Sequence, residues 1–181
     1  MNILFVSLGC DKNLVDTEVM LGLLASRGHQ MVDSEEIADV IVINTCCFIH
    51  DAKEESIQTI LEMAEYKKAG SCKALIVTGC LAQRYKQEII DEIEEVDAVL
   101  GTTSYDKIVE AIDEALAGHT SVEMTDIDAL PLVESKRLVT TGGHFAYLKI
   151  AEGCDKHCTY CIIPKIRGNF RSVPIERLLK E

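Results

Sequence analysis

The 181-residue chain has the length of one ordinary domain plus a remnant, and its 48% hydrophobic content is enough to bury a sizeable core. Its formal net charge of -12 is uneven, because residues 1–143 carry 11 Lys and Arg against 26 Asp and Glu, whereas residues 144–181 carry 7 against 4. The acidic first part disfavours direct binding of nucleic acid, and the change of sign indicates a domain boundary.

The sequence has neither a signal peptide nor an apolar run that could span a membrane, which favours a reducing compartment. No apolar run approaches the ~20 residues that span a bilayer, and the apolar first residues have no basic segment before them. We therefore expect a cytoplasmic protein without membrane association. Eight cysteines in that compartment favour metal or redox chemistry over disulfides.

Apolar runs alternate with helical patterns over residues 1–118. The pattern predicts strands at 2–8, 30–33, 39–44, 74–78 and 97–100, and helices at 14–26, 52–68, 83–94 and 105–117. This alternation is typical of a doubly wound α/β fold, here a flavodoxin-like five-stranded parallel sheet in the order 2-1-3-4-5. Residues 119–143 lose the rhythm and are interpreted as a linker, and residues 144–181 as the start of a second, truncated domain.

Three cysteines follow three of the predicted strands. Cys10, Cys46 and Cys80, which we name the sheet cysteines, come just after the strands that the order 2-1-3-4-5 makes neighbours, ~4.8 Å apart. Such strand ends meet at the edge where these folds bind ligands, so we expect a shared metal cluster with one open coordination position. Each cysteine could also be a small buried apolar residue. Cys47 and Cys72 are predicted to be bystanders.

Three further cysteines lie close together in a loop that reads E-G-C-D-K-H-C-T-Y-C from Glu152 to Cys161. Cys154, Cys158 and Cys161, the loop cysteines, follow a predicted strand over 144–150 and precede a helix expected to begin near Pro174. They predict a second cluster with three protein ligands. The alternative is a zinc site with His157 as fourth ligand.

The loop matches a known signature. Cys154, Cys158, Tyr160 and Cys161 resemble the C-x3-C-x-aromatic-C motif of radical S-adenosylmethionine enzymes. Together with the sheet cysteines, the chain resembles the methylthiotransferase family over nearly its whole length. The run S-L-G-C-D-K-N-L-V-D-T-E from Ser7 is similar to the branch that modifies a ribosomal protein (RimO type), whereas Cys47 stands where that branch is expected to have glycine.

The resemblance implies a radical S-adenosylmethionine domain built as a partial TIM barrel, of which this chain holds only the first βα unit. It implies two [4Fe-4S] clusters, one on the sheet cysteines and one on the loop cysteines. One S-adenosyl-L-methionine would donate a methyl group and a second would yield the 5'-deoxyadenosyl radical, with Tyr160 and Arg167 near the cosubstrate.

The implied reaction inserts a methylthio group at the β-carbon of an aspartate in small-subunit ribosomal protein S12, and it needs an electron donor such as flavodoxin or ferredoxin. Lys12 and Asn13 are interpreted as bracing the loop around Cys10 or reaching substrate. Two alternatives stay open, namely the same chemistry on transfer RNA and a non-catalytic iron-sulfur module.

Overall fold

The computed structural model describes residues 1–131 and 136–181. In chain order the strands are β1 (Asn2–Ser7), β2 (Gln30–Val32), β3 (Val40–Thr45), β4 (Ala74–Gly79), β5 (Ala98–Leu100), β6 (Ser121–Glu123), β7 (Ala151–Glu152) and β8 (Arg171–Ser172). The α-helices are α1 (Asp11–Ser26), α2 (His50–Lys68), α3 (Cys80–Tyr85), α4 (Gln87–Glu92), α5 (Ile108–Leu116), α6 (Ile163–Arg167) and α7 (Ile175–Lys180). Short 3-10 turns precede β3 and α5.

The first six strands form one parallel sheet in the order β2-β1-β3-β4-β5-β6. The predicted flavodoxin-like order is confirmed, and β6 adds a sixth strand inside the segment interpreted as a linker. Because β5 is fully buried, its outer edge needs a hydrogen-bonding partner, and β6 supplies one. The division at 118 and 143 stays a prediction, and its residues 132–135 lie outside the described residues.

Two apolar clusters cover the two faces of the sheet. Alternate side chains of β3 and β4 point to opposite faces, and both strands are buried along their whole length. On one face Ile41, Ile43 and Leu75 pack with α2, α3 and α4, and on the other Val42 and Ile76 pack with α1 and α5. The core therefore holds the central strands rigidly, together with the residues that follow them.

Two predicted elements differ from the structure. The helix predicted over 83–94 is divided into α3 and α4, because Lys86 has a positive φ of +46° with ψ of -116°, and this non-helical backbone stops the first helix. The strand predicted over 144–150 is wrong in position. Among the described residues, pairing begins at β7, which runs antiparallel to β8, and Ile150 just before it is 62% exposed. A strand requires a neighbour, and β8 reaches only β7.

The last described helix begins as the sequence predicts. Pro174 directly precedes α7, and its carbonyl accepts from the Arg177 N–H at 3.0 Å. Within residues 1–131 and 136–181, no helix is both long and apolar enough to cross a membrane.

Candidate metal-cluster site

The sheet cysteines lie at the carboxyl edge of the sheet, at the ends of three neighbouring strands. β3 and β4 end in register, so Cys46 and Cys80 directly follow paired residues. Cys10 ends the loop after β1, and this loop is held to β3 because the Leu8 N–H donates to the Asn44 carbonyl at 2.8 Å. The strand order thus brings the three positions to adjacent strand ends, and their role as ligands stays a prediction.

Two glycines allow the chain to pass close to the sheet cysteines. Gly9 has φ of +96°, and a Cβ there would lie 2.8 Å from Cys46 Cβ and 3.1 Å from Cys46 Sγ. Gly79 has φ of +91°, and a Cβ there would lie 2.5 Å from the Thr45 carbonyl oxygen. A side chain at either position would clash as well as strain the backbone. These glycines therefore form a cradle in which the loop of Cys10 lies against Cys46.

Asn13 braces this edge from the first turn of α1. Its Nδ2 donates to the Leu8 carbonyl at 3.0 Å and to the Thr45 carbonyl at 2.9 Å, which ties the end of β1 to the end of β3. Its Oδ1 accepts from the Cys80 thiol, with 3.7 Å between the heavy atoms. The prediction that Asn13 braces the loop around Cys10 is confirmed, and the same side chain also reaches the cysteine after β4.

Cys46 and Cys47 present their thiols to different surroundings. The Cys46 side chain faces Gly9, and its backbone N–H and carbonyl are both hydrogen-bonded to the Ser56 hydroxyl. Cys47 is 2% exposed, belongs to the core, and donates its thiol to the Cys80 carbonyl at 3.2 Å. Cys46 thus lies against the loop that carries Cys10, and its role as a ligand stays a prediction.

We expect Cys46→Ala to abolish the absorption and EPR spectrum of a cluster on the sheet cysteines, whereas Cys47→Ala and Cys47→Gly should preserve it. The reason is that Cys46 faces the loop of Cys10 and Cys47 does not. Cys72→Ala is the matched control, since Cys72 is buried and its thiol donates to the Ala74 carbonyl at 3.1 Å. Loss of the spectrum in Cys47→Gly with retention in Cys46→Ala would assign the ligand to Cys47.

The electrostatics at Cys80 are set by burial and by one cation. Burial raises the pKa of the Cys80 thiol to about 11, and the neighbouring guanidinium of Arg167 opposes that rise. Cys80 is therefore protonated at neutral pH when no metal is bound. Metal binding has to displace this proton, which the nearby positive charge favours.

The loop cysteines lie between β7 and α6. The Cys154 N–H donates to the Gly168 carbonyl at 3.1 Å, which closes the base of the loop, and the Cys161 N–H donates to the Cys158 carbonyl at 2.9 Å. Cys158 is exposed and the other two are half-buried. Three thiols in one short, closed loop suit a cluster that keeps a position open for another ligand.

The zinc alternative requires Cys154, His157, Cys158 and Cys161 to approach one ion. Among the described residues, His50, Asp51 and Glu54 are the three candidate metal ligands whose donor atoms lie within 4.8 Å of one another. They are exposed at the start of α2, outside the cysteine loop. Nothing in the described loop gathers four donors around a single ion. A cluster places its thiolates on different irons and does not need such close approach.

A buried ion network joins the loop to the sheet edge. The Arg167 guanidinium is 3% exposed and uses one nitrogen, Nη1, to donate to Asp16 Oδ2 at 2.7 Å and to Glu152 Oε2 at 3.2 Å. Its Nη2 donates to Asn13 Oδ1, the same oxygen that accepts from Cys80. The segment after the loop cysteines is thereby attached to the side chain that braces the sheet cysteines.

Two lysines complete the network. Lys149 pairs with Asp16 and lies 3.2 Å from Glu152 Oε2, and Lys12 donates to the Ala151 carbonyl at 2.7 Å. Burial alone would raise the pKa of Glu152, but the charges of Arg167 and Lys149 lower it to about 2. The Glu152 carboxylate therefore stays ionised at neutral pH and offsets part of the positive charge of Arg167 and Lys149.

Glu18 ends the run S-L-G-C-D-K-N-L-V-D-T-E that begins at Ser7. It holds residues 137–140 in a similar way. Its Oε1 accepts from the Thr140 N–H at 2.6 Å and its Oε2 lies 3.3 Å from Arg137 Nε, while its backbone carbonyl accepts from the Leu138 N–H at 3.0 Å. Asp16 and Glu18 thus attach the later segments of the chain to α1.

Sequence reasoning missed this network. A signal was present, because Asp16 and Glu18 lie among apolar residues of a helix whose neighbours pack on the sheet. Of the two residues predicted near the cosubstrate, Arg167 is buried in the network and Tyr160 is 91% exposed on the loop. Their contact with S-adenosylmethionine stays a prediction.

The residues fit the clusters that the resemblance implies. Thiolates are the usual protein ligands of iron-sulfur clusters, and each set offers three of them, with all eight cysteines free of disulfides. At the sheet edge, Gly9 and Gly79 let the backbone loop of Cys10 and the start of α3 approach Cys46 and Thr45 closely, which brings the sheet cysteines toward one another. Arg167 adds a positive charge next to a site that would bind an anionic cluster.

The parallel sheet and the two three-cysteine sets agree with the resemblance to methylthiotransferases. The chain belongs to a family described as "Uncharacterized protein family UPF0004", which matches residues 2–101. It is 68% identical over 181 residues to the ribosomal protein uS12 methylthiotransferase RimO of Lachnoclostridium phytofermentans. It is 54% identical over 179 residues to the protein of that name from Desulforamulus reducens, and 51% identical over 175 residues to that from Clostridioides difficile.

These relatives extend well beyond the matched region. The chain is covered over 100%, 97% and 97% of its length, but it spans only 41%, 40% and 39% of the three relatives. The resemblance to the RimO type is confirmed over the part that corresponds to this chain.

Proposed function

We propose that the whole protein is a radical S-adenosylmethionine methylthiotransferase that inserts a methylthio group at the β-carbon of an aspartate in small-subunit ribosomal protein S12. The observation that carries the proposal is the joining of two three-cysteine sets by a buried ion network in a chain 68% identical to a uS12 methylthiotransferase. An aliphatic C–H bond has no useful acidity, so radical chemistry is required to open it.

The six cysteines would divide between two [4Fe-4S] clusters. Cys10, Cys46 and Cys80 would hold the auxiliary cluster, and the loop cysteines would hold the cluster that binds S-adenosyl-L-methionine. When bound, these groups supply the electron for radical formation and a site for the sulfur that is transferred. The protein's contribution is to fix the two cysteine sets relative to each other and to orient the substrate.

Hydrogen bonds and ion pairs within this chain hold the cysteine loop to the edge of the sheet. Asn13 holds the ends of β1 and β3 together, and Arg167 ties the end of the cysteine loop to Asn13 and Asp16. Buried, paired charges have well-defined geometry, so this network resists rotation of the loop against the sheet. Tyr160, which is exposed on the loop, is available to cover the adenosine of the cosubstrate.

A cavity between α3 and the segment that follows the loop cysteines supports an acidic target. It has a volume of about 530 Å³, it is partly lined by α3, which begins at Cys80, and by Ile162, which follows Cys161. Its lining includes Arg84, Lys86 and Lys165, none of which forms an ion pair within the described parts of the chain. Cations without a carboxylate partner can recognise a carboxylate of a substrate, and the excess of acidic residues over 1–143 suits a basic ribosomal protein.

The proposed chemistry also implies a cellular compartment and an electron donor. A ribosomal substrate and eight free cysteines agree with a cytoplasmic protein. The radical step consumes an electron, which a small carrier such as flavodoxin or ferredoxin would supply.

The test offers two substrates to the anaerobically reconstituted whole protein, with reductant and S-adenosylmethionine. Either ribosomal protein S12 or adenosine-modified transfer RNA is added, and products are analysed by mass spectrometry. We expect a gain of about 46 Da on an aspartate of S12, the value for replacing hydrogen by a methylthio group in this cofactor chemistry. The control is the Cys154→Ala/Cys158→Ala/Cys161→Ala variant, which should give no gain.

Two other results would revise the proposal. A mass gain on transfer RNA alone would move the protein to the transfer-RNA branch. Iron binding without release of 5'-deoxyadenosine would favour a non-catalytic iron-sulfur module.

A further inference from the structure

We propose that Arg167 is a positioning residue that holds a buried positive charge close to Cys80, across the shared Asn13 side chain, and thereby raises the reduction potential of the cluster on the sheet cysteines. The inference rests on the auxiliary cluster of the proposed function. It goes further by assigning Arg167 to the sheet site, away from the cosubstrate to which the resemblance assigns it.

The Arg167 guanidinium lies close to the Cys80 thiol. Asn13 Oδ1 accepts from the Cys80 thiol and from Arg167 Nη2, so one oxygen atom is shared by the thiol and the guanidinium. Arg167 reaches this position from the segment after the loop, 87 residues beyond Cys80 in the sequence. It is 3% exposed, so water screens its charge poorly.

Two carboxylates and one hydrogen bond to the backbone hold the guanidinium in this position. Asp16 and Glu152 both accept from Nη1, which leaves Nη2 free to point to Asn13. The Thr102 hydroxyl donates to the Ile166 carbonyl at 2.7 Å and holds the backbone just before Arg167. The planar guanidinium serves the carboxylates and Asn13 together, which a single ammonium group does less well.

A buried cation changes the reduction potential of a cluster beside it. Reduction adds negative charge, and a nearby buried cation stabilises the reduced form relative to the oxidised form. Replacing Arg167 by an uncharged residue should therefore lower the midpoint potential of the sheet cluster. Because Arg167 belongs to the segment that carries the loop cysteines, any displacement of that loop would also move this charge.

Lys149 provides a matched control. It is also largely buried and pairs with the same two carboxylates, Asp16 and Glu152, but its ammonium lies over the Tyr105 ring at 5.1 Å instead of at Asn13. Lys149→Met removes the same unit of charge from the same network as Arg167→Met. A purely structural role of the network predicts equal effects of the two substitutions.

The experiment uses the whole protein with Cys154→Ala/Cys158→Ala/Cys161→Ala, so that only the sheet cluster is loaded. The midpoint potential is measured by dithionite titration followed by EPR, in this background and with Arg167→Met, Arg167→Lys or Lys149→Met added. We expect a clear fall for Arg167→Met, a smaller fall for Arg167→Lys, and the smallest change for Lys149→Met.

The outcomes separate this inference from the proposed function. Equal shifts for Arg167→Met and Lys149→Met, or no shift in either, would overturn the role of Arg167 while leaving the cluster in place. If Arg167→Met loads no iron, the comparison of Arg167→Lys with Lys149→Met decides in the same way. Absence of iron in the background variant itself would instead refute the auxiliary cluster.

Discussion

Anaerobic reconstitution of the whole protein with iron and sulfide is expected to yield about eight irons per chain, because two sets of three cysteines each suit a four-iron cluster. Replacing the sheet cysteines together by alanine should leave about four irons, and so should replacing the loop cysteines together. The measurement is iron and sulfide analysis, with EPR spectra to distinguish the two clusters.

The control for iron content is the double variant Cys47→Ala/Cys72→Ala, which removes two buried thiols outside both sets and should keep the full iron content. A fall to zero on replacing either set alone would mean that the two clusters do not assemble independently. Unchanged iron on replacing the sheet cysteines would remove the auxiliary cluster from the proposal.

The second large effect is expected at Asp16. Asp16→Asn should lower the free energy of unfolding of chain 1–181 by about 3–5 kcal/mol, the range for breaking a buried ion pair by removing one partner. The carboxylate is buried and accepts from both Lys149 and Arg167, so its loss leaves two buried cations with Glu152 alone. Urea unfolding of the cluster-free chain, followed by circular dichroism, measures the change.

An exposed pair supplies the comparison for Asp16. Glu65 pairs with Lys68 on the surface of α2, and Glu65→Gln should leave the urea midpoint unchanged. The double variant Asp16→Asn/Lys149→Met should regain part of the lost stability, because it removes one of the two cations that then share Glu152. An unfolding curve of Asp16→Asn that matches the original chain would show that the network does not hold the loop to the sheet.

Much of the fold could be predicted because it depends on short-range patterns. Continuous apolar runs such as 39–44 mark strands buried on both faces, and their alternation with helical patterns specifies a parallel sheet. The position of each sheet cysteine just after such a run places it at a strand end. The loop motif is likewise local, since its three cysteines lie within eight residues.

The tertiary structure decided the features that depend on distant partners. β6 pairs with β5 although its own sequence carries little strand signal, because a buried neighbour offers it an open edge. The division of the predicted helix at Lys86 depends on one backbone conformation, and no periodic pattern marks it.

The ion network is the clearest case of such dependence. Arg167 is 151 residues from Asp16 along the chain and Lys149 is 133, and charges so far apart leave no periodic trace in the sequence. By itself, the sequence determined the doubly wound fold and the two cysteine sets, because strand and ligand spacing are local. Only the tertiary structure determined how the sets are joined, because a buried charge is stable only where folding brings its counter-charges to it.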